Sequence, residues 1–256
     1  MLTDQDVVVA RRRLLSLHYQ AGCGHIGGNL SALDAMLLTH HEFIGDDDRF
    51  ILSKGHAAGA LYVTLWSQGR LAEAELQTFY KDGTRLAAHP PPAGVPGIEF
   101  ATGSLGHGLS LASGLALSNK LRRAPGRVFC LTSDGEWQEG STWEALIFAA
   151  HHRLGALTVM IDGNGLQGFG SVDEVASMGD LEQRLRPFGV EVSEVDGHDL
   201  AALRRVLAQR FDRPHFIVMK TTKGHGVSFM EGRMEWHYLP MNEQQYNQAL
   251  AEAGAA

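Results

Sequence analysis

Short apolar runs recur at regular intervals through the second half of the chain. Val128-Phe129-Cys130-Leu131 reads as a short buried strand, and Leu157-Thr158-Val159-Met160-Ile161, Val190 to Val195 and Phe216-Ile217-Val218-Met219 as three further strands. Helical stretches stand between them, one opened by the box Ser141-x-x-Glu144 and one from about Leu200 to Gln209. Strand, helix, strand at this spacing predicts an α/β fold with a central parallel sheet flanked by helices. In the first half, Thr3-x-x-Asp6 and Ser31-x-x-Asp34 read as capping boxes. The helices they open run to about Gln20 and about Phe43. A strand from Arg49 to Leu52 leads into Ser53-Lys54-Gly55-His56 and a helix through Trp66. Residues 81 to 106 hold four of the eight prolines and read as a long irregular loop, a kind more often functional than idle. The helix from about Leu109 to Leu121 carries Ala112, Gly114 and Ala116, which predicts a closely packed neighbour. With no repeat, low-complexity tract or linker, one domain over residues 1–256 is expected.

Composition narrows the partners. Lys plus Arg minus Asp plus Glu is 22 − 29 = −7, and there is no basic run, which argues against nucleic acid and membrane surfaces. No apolar run approaches the roughly 18 residues of a membrane span. The start, Met1-Leu2-Thr3-Asp4, lacks the layout of a signal peptide. Cys23 and Cys130 stand far apart, as suits a reduced compartment, so a soluble cytoplasmic protein is expected. Two counts are unusual: 30 of 256 residues are Gly, against a typical ~7%, and 13 are His. The glycines cluster around residues 22–28, 103–108, 163–170 and 224–226, where backbone must turn tightly or approach something closely.

In open parallel sheets, ligands bind beyond the carboxyl ends of the strands. Those ends carry Ser133-Asp134-Gly135 and Asp162-Gly163-Asn164. If the two strands are neighbours, Asp134 and Asn164 converge on one crevice. A carboxylate and an amide oxygen suit a hard divalent cation, and a cation with so few protein ligands usually holds a diphosphate. Residues of these types are equally at home as turn and cap residues. Helix-starting N–H groups after Gly135 would serve the same anion. Gly163-x-Gly165-x-x-Gly168 matches the dinucleotide fingerprint, but residues 170–174 read as loop where that fingerprint requires a helix, so nicotinamide binding is rejected.

Six ordered blocks then resemble transketolases. Asp134-Gly135-Glu136 followed thirty residues on by Asn164 is similar to the thiamine diphosphate motif. Gly24-His25-Ile26-Gly27-Gly28-Asn29-Leu30-Ser31, Ser53-Lys54-Gly55-His56-Ala57 and Thr102-Gly103-Ser104-Leu105-Gly106-His107-Gly108 resemble three further blocks. Ala88-His89-Pro90 resembles a Gly-His-Pro, and Lys223 to Glu231 with Trp236-His237 resembles the closing loop. The resemblance covers about residues 10 to 240 and stops where a full transketolase is half finished. It implies the diphosphate-binding subunit of a transketolase split over two chains, inactive without a partner that carries the pyrimidine domain and an activating Glu. An α₂β₂ assembly that transfers a two-carbon ketol unit from a ketose to an aldehyde is implied with it, on sugar or sugar-phosphate substrates.

Residue by residue, the resemblance implies that Asp134, Asn164 and the Leu166 carbonyl hold Mg²⁺ or Ca²⁺. His56, Gly103, Leu105, Gly135 and Glu136 would serve thiamine diphosphate, and His25, His89 and His237 the reacting carbons. Glu139 matches a position near a dimer interface, and His107 one near the cofactor. This chain departs from the family pattern at Ile26, Ser133, Gly168-Phe169 and Tyr238, which implies a specialised member with an unusual donor or acceptor. Two rival readings are the α subunit of a thiamine-dependent 2-oxo acid dehydrogenase, which lacks the Ser-Lys-Gly-His block, and a non-catalytic scaffold, which would have no need of Asp134, Asn164 and His56.

Overall fold

The computed structural model describes residues 1–91 and 94–254. Residues 92, 93, 255 and 256 of the expected loop and domain lie outside the described residues. In chain order the elements are α1 (Asp4–Ala21), α2 (Ile26–Glu42), β1 (Arg49–Leu52), α3 (Ala58–Ser67), α4 (Glu73–Leu76) and α5 (Gly108–Arg122). There follow β2 (Val128–Ser133), α6 (Gly140–His151), β3 (Leu157–Gly163), α7 (Val172–Ala176), α8 (Leu181–Leu185), β4 (Glu191–Asp196), α9 (Leu200–Leu207), β5 (His215–Lys220) and α10 (Glu243–Glu252).

The five strands form one sheet in the order β1-β2-β3-β5-β4, and all four pairings are parallel. Both faces of the sheet are covered, which is why its inner strands read as continuous apolar runs. Within those runs alternate residues still serve opposite faces. Phe129 and Leu131 of β2, with Ile217 and Met219 of β5, pack into a cluster with α1, α2, α3 and α9. Val128 and Cys130, with Phe216 and Val218, pack into the other cluster with α5 and α6. The α/β class, with one parallel sheet between helical layers, is as the spacing of apolar runs predicts.

Four expectations are corrected. Helix α2 begins at Ile26, not Ser31; its N-cap is His25, which has a left-handed φ of 66° and makes no side-chain cap. Ser31 sits inside the helix and turns its hydroxyl to the Asp162 carboxylate at 2.6 Å. Ser141 likewise caps nothing: its hydroxyl donates to the Gly106 carbonyl at 2.9 Å, and α6 starts after Glu139. Residues 170–174 are not all loop, because Ser171 and Glu174 form a reciprocal capping box that opens α7. That helix starts four residues beyond Gly168, so the match to the dinucleotide fingerprint still lacks its helix. On α5, Ala112 and Ala116 are buried, but Gly114 faces open space and marks no close neighbour. By contrast, the box at Thr3 and Asp6 forms as expected. No helix among the described residues is long and apolar enough to cross a membrane.

His40, on α2, is fully enclosed against the Phe50 ring, and neither of its ring nitrogens has a hydrogen-bond partner. Burial, with Arg70 nearby, pushes its pKa from 6.5 down to about 3. Between those values the unfolded chain binds the proton and the folded chain does not. Its contribution is therefore complete above pH 6.5 and lost as pH falls through the window toward 3. The loss is about 3 kcal/mol at pH 4. Urea unfolding at pH 7 and pH 4 should show a smaller acid loss for His40→Leu than for the parent chain. Equal losses would contradict this account of the buried ring.

Candidate active site

At the carboxyl end of the sheet, β2 and β3 run side by side, with Ser133 opposite Asp162. The chain leaves β2 through a tight turn at Gly135–Gln138 and leaves β3 through Asn164. Asp134 and Asn164 thereby face one crevice of about 290 Å³. Asp134 accepts backbone N–H groups from Gly135 at 2.7 Å and Gly165 at 2.6 Å. Burial and the nearby Asp162 carboxylate push its pKa up to about 6. A partly buried carboxylate whose nearest partners are neutral N–H groups is a site that favours a cation. Asn164 and Leu166 border the same space; Asn164 Oδ1 accepts from the Leu166 N–H at 3.1 Å and the Leu166 carbonyl from Lys223 Nζ at 3.4 Å, so that with Asp134 they supply three oxygen acceptors of the hard-cation type. The donor set therefore fits Mg²⁺ or Ca²⁺.

Beneath this rim lies an ion pair that sequence reading missed. Lys54, after β1, and Asp162, on β3, pair with both side chains fully enclosed. Lys54 Nζ also donates to the Gly28 carbonyl at 2.9 Å, and Asp162 accepts from Ser31, Thr221 and Asn164. Burial opposes ionisation of Asp162, but Lys54 and these hydrogen bonds outweigh it and hold its carboxyl below the ordinary value. The pair joins β1, α2, β3 and the segment after β5 directly under the crevice.

The long loop supplies the next wall. Gly103 has φ +141°, and a Cβ there would meet the His89 ring at 2.8 Å, so only glycine fits. A Cβ on Gly55 would in turn meet the Gly103 backbone at 2.8 Å. These contacts lay residues 102–106 on the turn after β1 and bring Gly103 and Leu105 to the crevice. Glu136 is placed differently from its neighbours in the motif. Its carboxylate is buried, bonded to Ser53, to Gly106 N at 3.0 Å and to Ser133 N at 3.1 Å. It braces three segments from below and does not border the cavity.

Four imidazoles gather at the opposite wall. His25 lies 4.9 Å from His237, 5.8 Å from His56 and 5.9 Å from His89, measured between ring centres. The left-handed backbone of His25 is held by its N–H, which donates to the His237 carbonyl at 3.0 Å. Strained non-glycine backbone of this kind gathers at functional sites. Burial lowers all four pKa values, that of His237 to about 3, with Lys223 adding to the effect, so the rings are neutral near pH 7. Lys223 Nζ lies 3.2 Å from His237 Nδ1. An ammonium can only donate there, so Nδ1 accepts and the proton of neutral His237 sits on Nε2. Burial, with Lys54 nearby, pushes the Lys223 pKa down to about 8.

All the catalytic, cofactor-binding and metal-ligating residues expected from the sequence thus border one cavity, except Glu136, which lies beneath it. His107 stands outside, exposed, at the start of α5, and Glu139 is an exposed helix cap. The missed members are Lys54, Asp162, Lys223 and Ser31. Lys54, Lys223 and Ser31 carried a signal, since all three fall inside the transketolase-like blocks.

Comparison with known proteins agrees with this geometry. The family described as "Transketolase, thiamine diphosphate binding domain" matches residues 5–256. The chain is similar to one of the named subunits of the apulose-4-phosphate transketolase of Phocaeicola vulgatus, 37% identical over 254 residues, 94% of this chain and 90% of that protein. It is also similar to "6-deoxy-6-sulfo-D-fructose transketolase subunit SqwG" of Clostridium sp., 34% identical over 256 residues, 95% and 93% of the two chains. With "Transketolase" of Homo sapiens it is 37% identical over 242 residues, which are 91% of this chain but 39% of the human protein. Among solved structures, transketolase from Campylobacter jejuni superposes with a TM-score of 0.91 at 28% identity, covering 99% of this chain and 43% of that one. With a family match along nearly its whole length and a crevice to suit, this chain belongs to the transketolases as their thiamine diphosphate-binding domain.

Proposed function

We propose that residues 1–256 form one domain that is the cofactor-binding subunit of a split, magnesium-dependent transketolase. One observation carries the reading: Asp134, Asn164 and the Leu166 carbonyl border the same crevice as His25, His56, His89 and His237. That is an oxygen-donor set for a cation at one end and a proton-handling wall at the other. When bound, thiamine diphosphate supplies a carbon nucleophile and an electron sink. Asp134, Asn164 and Leu166 would hold the cation that neutralises the diphosphate, and His56 with the backbone of Gly103 and Gly135 would serve its oxygens. Leu105 offers an apolar contact to the other end. His237, donating from Nε2, hydrogen-bonds a substrate oxygen, and the neutral rings of His25 and His89 accept or return protons as the carbon–carbon bond is made or broken.

Two relatives that match this chain over nine-tenths of their length or more are named as subunits, which supports a partner for this chain also. We assign that partner the pyrimidine-binding domain and the activating carboxylate, in an α₂β₂ assembly acting on sugars or sugar phosphates. Two unpaired cysteines, Cys23 and Cys130, support a reducing, cytoplasmic location. The test of the cation site is Asp134→Ala, titrated by calorimetry with thiamine diphosphate and Mg²⁺ in the assembled complex. Loss of the one anionic ligand should weaken cofactor binding at least about tenfold, with the fold retained. Unchanged affinity would sink the assignment.

A further inference from the structure

Tyr238 and Gly168 are built around each other. The Tyr238 hydroxyl donates to the Gly168 carbonyl at 2.7 Å. A Cβ on Gly168 would lie 2.6 Å from that hydroxyl and 3.3 Å from His237 Nε2. The Gly168 backbone is not left-handed, so no conformational demand calls for glycine here. What excludes a side chain is the phenol. At the other end, a Cβ on Gly24 would meet the Tyr238 carbonyl at 2.5 Å, so the backbone of residue 238 is laid closely on the segment before His25. The ring itself stands edge-on to His237, 4.9 Å between centres, and is half exposed.

Its place in the site is distinctive. A second cavity of about 350 Å³ shares part of its lining with the crevice and is also bordered by Cys23, Phe79, Tyr80 and Ala88. Among the described residues, those that border both cavities are His25, His56, His89, His237 and Tyr238. Four of these five are the proton-handling wall. The fifth, Tyr238, is a bulky aromatic ring that stands between the two cavities. Its hydroxyl proton is spent on Gly168, which leaves the oxygen lone pairs as an acceptor next to the Nε2 donor of His237.

We propose that Tyr238, seated on Gly168, is a specificity-determining residue of this site: its ring limits the length of the aldehyde acceptor, and its oxygen accepts a hydrogen bond from an acceptor hydroxyl. The favoured class is a short hydroxyaldehyde over a five-carbon aldose. This rests on the ketol-transfer reading above.

The experiment measures kcat/KM of the chain assembled with its partner subunit, with hydroxypyruvate as donor. The acceptors are glyceraldehyde, propionaldehyde and ribose. Tyr238→Gly removes the ring and should lower the glyceraldehyde-to-ribose preference by at least about tenfold, through faster use of ribose. Tyr238→Phe keeps the ring, so that preference should stay, while the preference for glyceraldehyde over propionaldehyde falls about threefold to tenfold through KM. Gly168→Ala displaces the phenol and should reproduce the second loss. Thiamine diphosphate affinity should match the parent in each case. An active parent whose Tyr238→Gly and Tyr238→Phe variants keep both preferences overturns this proposal alone. A parent complex with no ketol transfer to any acceptor overturns the reading beneath it, and this proposal with it.

Discussion

Replacing Lys54 by Met is expected to destabilise the chain by about 3–5 kcal/mol, because it leaves a buried carboxylate without its cation. Asp162 is fully enclosed, and its remaining partners, Ser31, Thr221 and Asn164, are neutral donors. They lessen the cost of the charge without cancelling it. Lys54 sits on the turn after β1, Ser31 on α2 and Thr221 just past β5, so the loss should be felt across the floor of the crevice. Removing both charges with Lys54→Met and Asp162→Asn should recover a large part of the stability, since the penalty belongs to the unpaired charge and not to the missing pair. Urea unfolding of the two single variants, the double variant and the parent measures this directly. A Lys54→Met chain within about 1 kcal/mol of the parent would show that the buried pair is not what holds this floor together.

The second large effect falls on turnover. His25→Asn and His237→Ala should each lower kcat by about 10²–10⁴-fold, the usual worth of a positioned proton-transfer group, with cofactor affinity changed only a few-fold. Asn is chosen at residue 25 because the backbone there is left-handed, a conformation that Asn tolerates and Ala resists. The difference between the two observables follows from position. His25 and His237 face each other across the imidazole wall, whereas the oxygen donors Asp134 and Asn164 stand at the sheet end of the crevice. Steady-state kinetics and calorimetry on the assembled enzyme separate the roles. Loss of cofactor binding with normal turnover of the loaded enzyme would mean that these imidazoles serve the diphosphate instead.

Much of this arrangement is legible in the sequence, and the reason is local. Strands β2, β3 and β5 announce themselves as apolar runs because both faces of the sheet are covered there, whereas edge strand β4 alternates apolar and polar residues. The convergence of Asp134 and Asn164 follows from two neighbouring strand ends and needs no side-chain detail. What escapes is whatever depends on partners distant in the chain. Ser31 and Ser141 look like helix caps by local spacing, but their hydroxyls answer to Asp162 and Gly106, 131 and 35 residues away. Asp162 reads only as a strand-end residue until Lys54, 108 residues before it, is seen beside it. The start of α2 is invisible because a left-handed His in place of a capping side chain leaves no local signature. Glu136, taken with its motif neighbours as a cofactor contact, instead faces down among Ser53, Gly106 and Ser133. Departures at Gly168 and Tyr238 are visible one at a time in the sequence, yet only the fold shows that each makes room for the other.

On the proposed function, this chain is half of an active site. It would offer the diphosphate end of a cofactor cradle, while aromatic side chains that border these cavities, Tyr80, Phe169 and Tyr238, are half or more exposed. Exposed apolar groups around a cleft favour association with a second surface. The most direct measurement is a ketol-transfer assay on this chain, on its pyrimidine-domain partner and on their mixture, with the mass of each species taken by size exclusion and light scattering. The expected result is no transfer from either chain alone, and transfer from the mixture in a complex of α₂β₂ mass. Full ketol transfer by this chain alone would contradict the account.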